Sequence, residues 1–189
     1  VVFIVAAIYR VYTRRNFEES KFEFVNDQKL YKTLISYSGW NLFGNIAGVA
    51  KGQGVNILLN IFYGPVVNAA RGIAMQVQAA VNSFVSNFQM AVNPQIIKSY
   101  AADEREYMYS LVIRGSKFSF YLLFILSLPI MIEVDQILKL WLKTVPEYSS
   151  IFTILVLVII LIDCVSGPLM TAIQATGKIK VYQAVVGSL

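Results

Sequence analysis

The chain has 189 residues, of which 57% are apolar and 14% charged, with a mean hydropathy of +0.60; a soluble domain carries about 25% charge, so this is the composition of a membrane protein with no room for a large extramembrane domain. Its formal charge of +5 sits on basic residues interleaved with hydrophobic stretches, a pattern that topology explains and that excludes nucleic acid as a partner. Histidine is absent and Cys164 is alone, which excludes imidazole acid-base chemistry, disulfides and thiolate metal sites and leaves no cofactor to expect.

The sequence predicts an all-α polytopic transmembrane bundle, with four complete spans and two partial ones at the termini. Val1 to Tyr9 is apolar but too short to cross a bilayer, and it reads as the end of a membrane helix within an excerpted chain. Residues 10–33 form a charged cytosolic linker in which Phe17, Phe24 and Tyr31 recur at heptad spacing, so it either lies along the membrane surface or is a solvated connection. The bundle proper is expected over 34–189.

Its first span, 34–62, ends at the turn signal Tyr63-Gly64-Pro65. Near its middle stands Lys51, the one charge of the stretch. A cation at that depth costs about 2.5–3.5 kcal/mol to insert, so it should face protein or water and is a functional hypothesis by default. Gly44, Gly48 and Gly52 are four apart and suit close approach of another helix. Lys51 lies within about 60° of the first two in helical projection, pointing it into the bundle. The competing reading is a structural ion pair with Asp163, midway along the fourth span. Asp163 alternatively serves as a proton- or sodium-linked carboxylate, and the sequence leaves these readings open.

The second span, 66–95, begins near Arg71. At about 100° per residue, Gln78, Asn82, Ser86, Gln89 and Asn93 share an arc of roughly 80° with Arg71, and Asn68 lies at its edge. Val77, Val81, Phe84 and Phe88 occupy a separate apolar face. Each amide alone is best read as a tie between helices, worth about 0.6 kcal/mol on average. The whole row with its cation suggests a hydrated lumen for a polar solute. A charged loop around Asp103-Glu104-Arg105-Glu106 leads to the third span, 112–132, which Pro129 kinks or ends. Residues 133–149 read as a short polar connection with interfacial Leu138, Leu140, Trp141 and Leu142. The fourth span, 151–175, is interrupted at Gly167-Pro168, and after the basic turn Thr176 to Lys180 a partial span occupies 181–189.

Lysine and arginine fall mostly on one set of alternate connections, which places the 10–32, 98–117 and 176–180 segments in the cytoplasm. No catalytic constellation is present. Glu133 and Asp135 lack a nucleophile or metal partner, and Gly52-Gln53-Gly54 lacks the context of a phosphate loop.

The run Tyr63-Gly64-Pro65-Val66-Val67-Asn68-Ala69-Ala70-Arg71-Gly72-Ile73-Ala74, continuing through Val81-Asn82-Ser83-Phe84 to Ala91-Val92-Asn93-Pro94-Gln95-Ile96-Ile97-Lys98, resembles the bacterial polysaccharide (O-antigen) flippases of the multidrug/oligosaccharidyl-lipid/polysaccharide, MATE-like, superfamily. The run from Gly167 to Lys180 resembles the same group. The resemblance implies half of a two-bundle transporter of the inner membrane, in which alternating access carries an undecaprenyl-pyrophosphate-linked oligosaccharide across the bilayer for O-antigen and lipopolysaccharide synthesis. It also implies polysaccharide-assembly proteins as partners. Joined to that resemblance, the residues suggest substrate binding by Lys51, Arg71, Gln78, Asn82, Ser86 and Gln89. A multidrug exporter of cations is the first alternative, although the candidate cavity is basic. A membrane-embedded polymerase or transferase is the distant one.

Overall fold

The computed structural model describes residues 2–17 and 27–188. Among them every regular element is a helix: α1 (Val2–Asn16), α2 (Gln28–Ala101), α3 (Arg105–Ile132), α4 (Val134–Trp141), α5 (Ser149–Asp163), α6 (Ser166–Ala175) and α7 (Lys180–Ser188). Both α2 and α3 are long and apolar enough to cross a membrane, and α5 with α6 forms a further such stretch bent by 40°.

The chain divides into two compact units, Val1–Ser36 and Tyr37–Leu189. In the first, α1 continues past Arg10 to Asn16, beyond the expected helix end at Tyr9. Asp27 caps the start of α2: its Oδ1 accepts from the backbone N–H of Lys29 at 2.8 Å and of Leu30 at 3.2 Å, satisfying donors that a helix N-terminus otherwise leaves free. Of the expected 10–33 linker, 10–16 belong instead to α1 and 28–33 to α2, and residues 18–26, Phe24 included, lie outside the described residues.

The second unit carries the bundle. It holds α2 from Tyr37 on; the whole element has 74 residues, about 110 Å of helix against a hydrocarbon core of about 30 Å, so it cannot be one straight span. Gly64 breaks it, with φ 81° and ψ 177°, a backbone region open to glycine and essentially closed to other residues. The break is a reversal. Arg71 donates to Asn56 Oδ1 across 15 residues, positions that a continuous helix would hold about 22 Å apart, far beyond the combined reach of the two side chains.

The arm of α2 before Gly64 has no buried residue, whereas Ala70, Ala74, Val81, Val85, Ile96 and Ser99 of the later arm are buried. Two apolar clusters organise that later arm. Val81 and Val85 pack with Leu123 of α3 and with Leu157, Ile160 and Cys164 at the other side. Nearer the end of α2, Ile96 packs with Met108 and Val112, with Ala172 of α6 against them. These contacts fix an up-and-down order. The links 102–104 and 176–179 lie at one end, and the Gly64 corner lies with the segment entering α5 at the opposite end, where Tyr63 and Val66 line one cavity with Tyr148 and Phe152. Lys98, Arg105, Lys178 and Lys180 belong to the first end, together with Asp103, Glu104 and Glu106.

Two boundaries differ from the sequence expectation, and the end of the third span at 132 agrees with it. The charged loop shrinks to a turn at 102–104, because α3 already begins at Arg105; Asp103, with φ 60°, makes the turn, and its Oδ1 accepts from Arg105 Nε at 2.8 Å. Pro129 lies within α3, which continues to Ile132. The connection after it contains the amphipathic helix α4, which buries Val134 and Leu138 and leaves Leu140 and Trp141 exposed.

Candidate functional site

Lys51 stands on the exposed side of the first α2 arm, on the wall of a groove of about 380 Å³ shared with α7 and lined by Gly44, Ala47, Gly48, Gln183 and Gly187 as well. Gln183 is only 6% exposed, and its Nε2 donates to Asn41 Oδ1 at 3.5 Å. A Cβ on Gly44 would fall 1.9 Å from Gln183 Oε1, whereas Gly48 and Gly52 have nothing near them. Of the expected small-residue face, therefore, only Gly44 receives a close neighbour, and that neighbour is a side chain rather than a backbone.

Arg71 is half-buried at the Gly64 corner. It donates to Asn56 Oδ1, and Asn56 in turn donates to Gln53 Oε1 at 3.4 Å. Asn56 stands about 140° around the helix from Lys51, so the two cations serve different sides of the same arm. Among the described residues neither is neutralised by an acid, and the one ion pair there joins Arg105 to Asp103. The alternative pairing of Lys51 with Asp163 is thus not formed. Asp163 is exposed and ends α5, midway along the α5–α6 stretch as expected, at the break itself.

That break is where Gln89 is engaged. Pro168 has no N–H, so the carbonyl of Cys164 loses the helical donor four residues on. Gln89 Nε2 supplies a replacement, donating to the Cys164 carbonyl at 3.1 Å and lying 3.1 Å from Ser119 Oγ. Ser116 Oγ donates to the neighbouring Val165 carbonyl at 2.8 Å. A Cβ on Gly167 would come within 2.6 Å of Gln89 Oε1, so glycine is what admits the amide. Gln89 thus joins α2, α3 and the α5–α6 break. Gln78 and Asn82 are half-buried and Ser86 is exposed, all on the later α2 arm. The polar row is accordingly shared among separate neighbours: Arg71 with Asn56, Gln89 with Ser119 and Cys164.

Sequence reasoning missed Ser116, Ser119, Asn41 and Gln183. For the two serines a signal existed, since a proline inside an apolar span announces an orphaned carbonyl and hence a donor on a facing helix. For Asn41 and Gln183 there was none, because 142 residues separate the partners. Among the described residues no group of His, Cys, Asp and Glu is arranged to hold a metal ion. No protein-family model, curated protein or solved structure matches the chain.

Proposed function

We propose that the chain forms part of a membrane transporter that carries a polyprenyl-pyrophosphate-linked oligosaccharide across the bacterial cytoplasmic membrane. The observation that carries this reading is the presence of two cations, Lys51 and Arg71, in apolar helical arms with no carboxylate partner among the described residues. An unneutralised cation at membrane depth is costly and calls for an anion. A pyrophosphate meets that need, and it is itself unable to enter hydrocarbon without cationic donors.

On this reading the two arms of α2 cross the membrane separately, α3 crosses once and α5–α6 forms a broken fourth span. Lys51 and Arg71 receive the pyrophosphate in turn, since they face different sides of one arm. Gln78, Asn82 and Ser86 offer hydrogen bonds to sugar hydroxyls, while the prenyl chain stays in lipid. Gln89 is taken out of the ligand set, because its amide holds the break. The breaks at Gly64 and at 164–165 are the places where backbone motion is cheapest, as alternating access requires. The substrate class itself comes from the resemblance of the 63–98 and 167–180 stretches to polysaccharide flippases.

The test is transbilayer movement of a fluorescent prenyl-pyrophosphate-linked sugar in proteoliposomes. Lys51→Glu should abolish movement while membrane insertion is unchanged. Undiminished movement by that variant removes Lys51 from the headgroup site and, with it, the main support for a flippase.

A further inference from the structure

At the end opposite the 102–104 and 176–179 links, the Gly64 corner and the segment entering α5 border an open cavity of about 610 Å³ lined by Tyr63, Val66, Val67, Glu147, Tyr148, Ile151 and Phe152. Its chemistry is unlike that of the Lys51 groove. Three of these seven residues are aromatic, three are aliphatic, and the one charge is negative. Among the described residues no side chain forms an ion pair with Glu147. Tyr148 takes a left-handed backbone, φ 71° and ψ −3°, a conformation that non-glycine residues adopt rarely and that clusters at ligand sites. Tyr63 and Tyr148 are nevertheless 70% and 51% exposed, so burial of their rings is not what holds this geometry.

An open aromatic wall beside an uncompensated carboxylate attracts a compact organic cation, through ring faces and charge together, and repels phosphate. Tyrosine and tryptophan gather at the headgroup level of a bilayer, and the adjoining helix α4 exposes Leu140 and Trp141 as an interfacial helix would. At that level the abundant organic cation is the ammonium of a zwitterionic lipid. We propose that this cavity holds the ammonium group of a phosphatidylethanolamine-type headgroup, with the cation against Glu147 and the faces of Tyr63 and Tyr148. The lipid phosphate remains outside, in the headgroup layer. This site is independent of what the chain transports.

The test uses the full chain in detergent micelles supplemented with phosphatidylethanolamine or with phosphatidylglycerol of the same acyl chains, reading thermal unfolding. The ethanolamine lipid should raise the Tm above the glycerol lipid, and Glu147→Gln should abolish that difference. Tyr148→Gly separates binding from folding: glycine accepts the left-handed backbone without strain, so its Tm in phosphatidylglycerol should equal or exceed that of the parent, while the ethanolamine-specific rise is lost. Retention of the full rise by Glu147→Gln overturns the site. An equal rise given by soluble phosphoethanolamine in lipid-free micelles overturns the lipid as its occupant.

Discussion

Pro168 shows how one residue sets a demand that a distant part of the chain must meet. Without its N–H the Cys164 carbonyl would be orphaned in an apolar interior, and the donor comes from Gln89, 75 residues away. Removing that donor by Gln89→Leu should destabilise the bundle by about 1–3 kcal/mol, the cost of leaving a buried polar group unsatisfied. Adding Pro168→Ala returns a backbone N–H to the helix, so the double variant should recover about 1 kcal/mol of the loss in detergent-unfolding measurements. Strict additivity of the two changes would mean that the amide and the proline do not share the carbonyl. At this scale the proline was legible and its partner was not. Helical projection gives the angle at which Gln89 leaves its helix, and that angle put it in a row with Arg71; it carries no information on which carbonyl waits opposite.

Among the elements, α2 shows which sequence signals survive folding and which mislead. Tyr63-Gly64-Pro65 marks a break, and Gly64 makes it by taking a backbone conformation that a side chain forbids. Gly64→Ala should therefore cost about 1–3 kcal/mol in the same unfolding measurement, with helix content by circular dichroism unchanged. An alanine without such a cost would show the corner to be held by contacts such as Arg71 to Asn56 rather than by the glycine. The start of α3 was misplaced for a physical reason. Charge along 103–106 reports contact with water, not loss of helix, and Arg105 opens a helix that is polar at first and apolar later. In α4 the signal was present but short: Val134, Leu138 and Trp141 recur at helical spacing, yet the neighbouring Lys139, Lys143 and Pro146 give the 133–149 stretch the composition of a loop.

For the molecule as a whole, the alternation of apolar stretches foretold an all-helical chain, with α2 and α3 long and apolar enough to cross a membrane, and the contacts give its second unit two distinct ends. Links 102–104 and 176–179 share one end; the Gly64 corner and the 142–148 segment share the other. In a Cys164→Ser background, single cysteines at positions 104 and 178 should stay unlabelled by an impermeant maleimide applied outside intact cells, and those at 63 and 145 should react. Labelling of all four from outside would refute the crossing order. What the sequence withheld was which helices touch, because lipid-facing and protein-facing positions are alike apolar in such a chain and hydropathy does not separate them. The lone cysteine supplies a way to watch those contacts. Cys164 is 7% exposed and sits on the bend itself, so alkylation kinetics at the native thiol report how often the bend opens to its surroundings, with no engineered reporter added.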